Sequence, residues 1–431
     1  MYVYFAPAPD KPVASKPGSS STLVASTDLS SALRGSLVAQ KLEEQGSEAK
    51  DKCLSAKPAS PSDPIWQFDS CGWERLYPKG LPNQETDQMV VVLVTPKGKV
   101  IRKQVPDATR GKVVKAVKRF QGSLLGLKDA NTYLPQSQQI YKWLMSPIDA
   151  DLKDRKINNL VFVMDKGLRS LPVAALHDGT GYIVERYSVG FMPSLALSDT
   201  RHVSLKETQV LAMGAAEFKD QAALPSVPLE LSTIAGQLWP GQAFLNETFT
   251  PENLKQARTS KSFGIVHLAT HGDFQAGRPD RSYIQFWNDK IALNRLQDLE
   301  LTQATPIPVS LLVLSACRTA LGDLDAELGF TGLAVSAGVQ TALGGLWYIS
   351  DLGTLALMSS FYGNLKTAPI KGEALRLAQV AMLKGQVRIQ NGQLTTGQTT
   401  IPLSAKLAEE AQINLAHPYY WSGITMVGNP W

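Results

Sequence analysis

Cysteine and histidine are scarce. Cys53, Cys71 and Cys317 are the only cysteines in 431 residues, unevenly spaced and without a CxxC pair or a Cys/His ladder. That excludes a zinc ribbon and a disulfide framework, and no metal or cofactor is expected. Long apolar runs are missing too: none reaches the roughly 18 to 20 residues that a membrane helix needs, so no membrane partner is expected. The start, MYVYFAPAPDKP, lacks the basic opening and apolar stretch of a secretory signal, which predicts a cytoplasmic protein. Basic and acidic residues nearly balance, 43 against 38, with no basic block and no aromatic interleave. Nucleic acid is therefore not an implied partner. No GxGxxG, GK[ST] or GxSxG occurs, so neither a nucleotide site nor a serine hydrolase is indicated.

Apolar residues are plentiful, at 44% of the chain, which suffices for sizeable cores. Residues 1–63 are dominated by Ser, Ala, Pro, Lys and Glu and read as a mostly disordered leader or linker. Residues 64–129 read as a smaller α/β portion: MVVVLVTPKGKVIRKQV gives two strands around a Lys-Gly turn, and TRGKVVKAVKRFQGSLLG an amphipathic helix. From residue 130 to 431 helices alternate with short apolar strands, the pattern of a mainly parallel sheet flanked by helices. IVERYSVGFMPS reads as a strand, RIQNGQLTTGQTTIP as a mobile polar loop, and YYWSGITMVGNPW as a last aromatic strand.

Two predicted strands run into reactive residues. KSFGIVHLAT leads to His271-Gly272 and VSLLVLSA to Cys317, 46 residues later. That gap leaves room for a unit that brings the second strand back parallel beside the first. In such sheets ligands meet the carboxyl ends of the strands. A free thiol near pKa 8.5 is largely protonated at neutral pH, and a nearby imidazole can take its proton. The glycine after His271 lets a peptide carbonyl approach, and its N–H with that of Cys317 could hold an oxyanion. A lone cysteine after an apolar strand is more often simply buried, and His271-Gly272 on a matching strand end tips the balance to chemistry. His267 makes an HxxxH with His271, but the segment is β-rich and no glutamate follows the first histidine, so a packing or supporting role is expected.

HLATHG and LSACRT together resemble the CHAT family of bacterial caspase-like cysteine peptidases, relatives of caspases and separase. The resemblance continues in order through GLRSLPVAALHD, YIVERYSVGFMPS, LVLSACRTALGD, ELGFTGLAVSAGVQTALGGLWYISD, ALRLAQ and HPYYWSGITMVGNPW. It implies a caspase-like sheet over 130–431 and a His/Cys dyad: His271 as general base, Cys317 as nucleophile, Gly272 and Cys317 N–H groups as oxyanion hole. It also implies that Ser315 and the segment from Leu346 to Asp351 wall a substrate pocket. A carboxylate at Asp351 suits an arginine or lysine before the cleaved bond, and Asp273, Asp323, Asp325 or Glu327 could supply or share that charge. An aspartate preference would need an arginine, and Arg318 is the only one nearby in sequence. The expected function is a cysteine endopeptidase acting on a protein substrate. Many relatives carry helical repeats before the peptidase region and this chain shows none, so regulation would come from its first 150 residues or from a regulatory protein. The alternative is a latent or non-catalytic interaction module switched by a partner, and a thiol acyltransferase is a more remote one.

Overall fold

The computed structural model describes residues 1–6, 84–165, 167–193, 200–273, 280–301, 308–315, 334–335, 338–410 and 412–431. These fall into two compact units, one of Met1–Tyr4 with Lys112–Trp431 and one of Phe5–Gly111. Most of the expected leader, the first two cysteines, Cys317, and most of the segment LGFTGLAVSAG lie outside the described residues. Tyr2–Ala6, at the start of that stretch, form a strand, β1.

In the smaller unit, β2 (Gln88–Val94) and β3 (Val100–Thr109) pair antiparallel, as the sequence suggested. Gly98 supplies the positive φ of 80° that closes their turn. The helix α1 (Arg110–Leu125) follows, most of it in the larger unit, with α2 (Ala130–Leu144) capped by the Asp129 side chain.

The sheet of the larger unit is laid down by β4 (Asn159–Met164), β5 (Ser188–Phe191), β6 (Gln209–Gly214), β7 (Gly241–Leu245), β8 (Phe263–Ala269), β12 (Leu311–Leu314), β13 (Thr341–Gly345) and β17 (Ile424–Gly428). Its order runs β1-β4-β5-β17-β13-β12-β8-β6-β7, parallel except that β17 runs antiparallel to β13. Every residue of β8 and β12 is buried, as their apolar sequences, broken only by His267, require when helices cover both faces. β6 can lie close to β8 because Gly214 has no side chain: a Cβ there would stand 2.3 Å from the Ala269 carbonyl oxygen.

The covering helices include α3 (Val227–Ser232), which passes into a π-helical turn over Thr233–Leu238, and α4 (Pro251–Ser260), whose first residue is a proline, a residue suited to that position. α5 (Asp351–Leu365) is apolar nearly all round and buried along almost its whole length, and it packs on α3 and on α6 (Lys371–Leu383).

Three local readings need correction. RIQNGQLTTGQTTIP is not a loop but a three-stranded antiparallel sheet, β14 (Arg388–Gln390), β15 (Gln393–Thr395) and β16 (Thr400–Pro402). Asn391-Gly392, with φ 51° and 68°, makes the tight hairpin turn that such a dipeptide favours, and Leu394 and Ile401 are buried beneath it. Ile183–Glu185 is a turn of 3-10 helix ahead of β5, and Pro418–Trp421 a short helix ahead of β17, so both predicted strands begin late. A small sheet of β9 (Gly272–Asp273), β10 (Tyr283–Gln285) and β11 (Lys290–Ala292) has no counterpart in the sequence reading.

Candidate active site

β8 and β12 pair in parallel, with Leu311 opposite Ile265 and Leu314 opposite Leu268. Ser315 N–H prolongs the ladder to the Leu268 carbonyl at 2.9 Å. The carboxyl ends of the two strands therefore open on one edge, and the residue offset between them, 46, is also the offset from His271 to Cys317.

His271 lies just past β8 and is half-buried. Its ring packs on Phe218, centroids 4.6 Å apart, and its Nε2 is 2.7 Å from the Ala222 carbonyl oxygen. A carbonyl can only accept, so Nε2 carries the proton, and in the neutral ring Nδ1 is left as the basic nitrogen. The next residue is oriented by the β9–β10 ladder. Gln285 N–H donates to the His271 carbonyl at 2.9 Å, which makes His271 and Gln285 a hydrogen-bonded pair. Gly272 and Ile284 are the adjoining non-hydrogen-bonded pair, so the Gly272 N–H points away from β10.

Ser315 and Asp351 come together in one pocket, closed by Leu224, Trp347, Ile349, Thr354 and Ile424. Asp351 opens α5, where Ser350 caps the helix by accepting from Gly353 N–H. Its Oδ2 accepts from Ser226 N–H at 2.5 Å. Burial pushes the Asp351 carboxyl up to about 6; the Ser226 hydrogen bond opposes this, and the neighbouring Glu230 charge adds to it. One loop thus serves both halves of the site: Ala222 orients His271, while Leu224 and Ser226 shape the pocket.

Glu230 lies behind the pocket and is 1% exposed. Ser315 Oγ donates to its Oε1 at 2.6 Å. His267 Nε2 stands 3.1 Å from the same oxygen, too far off line for a well-formed hydrogen bond, and its Nδ1 meets the Tyr362 hydroxyl at 3.2 Å. Burial, then the Glu230 charge, keeps that hydroxyl protonated far beyond its ordinary range. His267 is therefore a buried link, not a partner of His271.

Of the residues expected from sequence, His271 and Gly272 share one strand end, and Ser315 and Asp351 share one pocket. Asp273 pairs with Tyr283 in the β9–β10 ladder and is not among the residues lining that pocket. Cys317, Arg318, Asp323, Asp325 and Glu327 lie outside the described residues. Sequence reading missed Ala222, Ser226 and Glu230. The first two act through backbone atoms and leave no signature. Glu230 did leave one: it occupies the core-facing stripe of VPLELSTI with Val227, Leu231 and Ile234, where a carboxylate is out of place. Among the described residues no cluster of three or more His, Cys, Asp or Glu could hold a metal.

A mainly parallel α/β sheet that presents a His-Gly strand end beside an acid-lined pocket defines a class. The chain belongs to the CHAT domain family, whose model matches residues 134–429. No curated protein matches it. Among solved structures it is similar to the Saccharomyces cerevisiae separase in complex with securin, at 13% identity and a TM-score of 0.37, covering 63% of this chain and 15% of that one. It is also similar to the Arg-specific cysteine proteinase gingipain R, RgpB, at 12% identity and a TM-score of 0.42, covering 74% of both chains. The Porphyromonas gingivalis complex of RgpB pro- and mature domains gives 12% and 0.40, covering 74% and 75%. At these values neither neighbour assigns a residue or a substrate to this chain. Among the described residues no helix is long and apolar enough to cross a membrane.

Proposed function

We propose that the protein is a cysteine endopeptidase that cuts protein substrates after arginine or lysine. His271 Nδ1 takes the proton of the Cys317 thiol, and the thiolate attacks the carbonyl carbon of the bond to be cut. Gly272 N–H, turned away from its ladder, and Cys317 N–H stabilise the resulting oxyanion. The imidazolium then gives its proton to the leaving amine, and water hydrolyses the acyl-enzyme. Ala222, by accepting from Nε2, steadies the ring and the positive charge it acquires.

The observation that carries this reading is the register of β8 and β12, which matches the spacing of the two dyad residues. The pocket supports the basic preference: a guanidinium or ammonium entering between Ser315 and Asp351 meets a half-buried carboxylate, where a charge-assisted pair is strong.

The test is a fluorogenic peptide panel with Arg, Lys, Asp or Asn before the reporter, run on wild type, Cys317→Ala and His271→Ala. Turnover of Arg and Lys peptides, lost in both variants, is the expected result. Turnover that survives in Cys317→Ala would favour the interaction-module reading, and selective Asp cleavage would refute the pocket. If wild type is silent, labelling by an arginyl chloromethyl ketone separates a latent thiolate from an inert thiol.

A further inference from the structure

A buried carboxylate is costly unless it is well paired, and an apolar side chain in its place is often no worse for stability. Glu230 has two partners: one hydroxyl, from Ser315, and the off-line Nε2 of His267. Val227, Leu231 and Ile234 show that the same helix face is otherwise filled by apolar groups. What the carboxylate does in return is visible at its other end. Ser315 is held twice, by its N–H on Leu268 and by its Oγ on Glu230, and it forms a wall of the acidic pocket.

We propose that Glu230 is a positioning residue of the specificity pocket, fixing the Ser315 wall and setting a second negative charge behind Asp351 for the cation that enters. The proposal rests on the reading of the pocket as a site for a basic side chain. The groups that bear on Asp351 are the Ser226 N–H, the Glu230 carboxylate from α3 and Glu410. Those that bear on Glu230 are Ser315, His267 and, through His267, Tyr362. No Arg or Lys pairs with Asp351 or Glu230 among the described residues. Asp351 on the cavity wall and Glu230 behind it repel each other, with no Arg or Lys paired to either among the described residues, and an incoming guanidinium relieves that repulsion.

The experiment measures binding of agmatine, a small guanidinium ligand, to the full chain carrying Cys317→Ala, by calorimetry over a pH range spanning 6. Binding should weaken in acid as Asp351 takes up a proton. Adding Glu230→Gln should weaken binding about tenfold on the neutral side, as expected for loss of one close charge. It should also move the acid limb to lower pH, because removing a like charge lets Asp351 ionise more readily. A packing role alone would not move that limb. Ser315→Ala keeps the charge and removes the tether, and should weaken binding about threefold, the scale of one hydrogen bond, with the limb in place.

The proposal is overturned if Glu230→Gln binds agmatine as the parent does with an unmoved limb, or if the parent does not bind agmatine at all. Should Glu230→Gln fail to fold by circular dichroism, Ser315→Ala decides, and parent-like binding by it overturns the proposal. Failure of the peptidase reading looks different: no turnover of Arg peptides by wild type, while agmatine binding still depends on Glu230.

Discussion

Asp178 and Glu185 are each met by a cationic side chain of the protein, whereas Asp351 and Glu230 accept from neutral donors. Asp178 accepts from Thr180 N–H (2.6 Å), Thr180 Oγ (2.7 Å), Gly181 N–H (2.8 Å) and the Arg186 guanidinium. Burial pulls its carboxyl upward, but the bonds from Arg186 and Thr180 outweigh that and hold it well below the usual carboxylate range. Glu185 is treated the same way: burial opposes ionisation, and Lys384 with the Tyr182 N–H overcome it. At Asp351 burial prevails and the carboxyl rises to about 6. Acids that serve only the fold are matched from within the chain. On the proposed reading, the acids at the pocket are matched by the cation of a substrate.

The contrast would break most visibly at the dyad. Cys317→Ala and His271→Ala should each lower kcat/KM on Arg peptides by about a thousandfold or more, whereas Asp178→Asn should leave it near the wild-type value in the same assay. Next in size, Asp351→Asn should cost about a hundredfold on Arg peptides and little on citrulline peptides of the same shape, measured as the ratio of the two. The pH profile sharpens the same point. If, as proposed, the Asp351 carboxylate binds the substrate cation, it is lost as pH falls through about 6, so kcat/KM for Arg peptides should drop on the acid side of that value, and Asp351→Asn should abolish that limb.

Asp178 predicts stability instead. Its folded pKa is depressed, so its contribution is present above the unfolded carboxylate range and disappears as pH falls through the folded value. Asp178→Asn should cost about 2 kcal/mol in urea unfolding at neutral pH, and the gap from wild type should close in acid below about pH 4. Smallest is the effect at the hairpin turn. Gly392 has φ 68°, and Gly392→Val should cost about 1 kcal/mol with no change in peptide preference.

What could be read from the sequence follows from which groups carry the information. Short, mainly apolar runs made β8 and β12 legible, because both strands are buried on both faces. The pairing of β8 with β12 was also foreseeable, since the segment between them is long enough for a parallel return. Asp351 and Ser315 were picked out through a family pattern, and no spacing rule would place residues 36 positions apart in one pocket. The Ala222 carbonyl and the Ser226 N–H were beyond reach, because any residue supplies them. The β14–β16 sheet was misread for a different reason. Its many Thr, Gln and Gly residues obscured an Asn-Gly turn flanked by alternating apolar positions, a signal that was present.

The order β5-β17-β13 bears on how this molecule is made. Val427 pairs with Phe191, so the middle of the sheet is filled by a segment translated long after its neighbour. A nascent chain that already holds His271, Ser315, Cys317 and Asp351 still lacks the beam that joins one half of the platform to the other, and with it Ile424 of the pocket. A chain stopped at residue 423 should therefore remain trypsin-sensitive and, on the proposed peptidase reading, unreactive toward an arginyl chloromethyl ketone, whereas the full chain should resist trypsin and take the label.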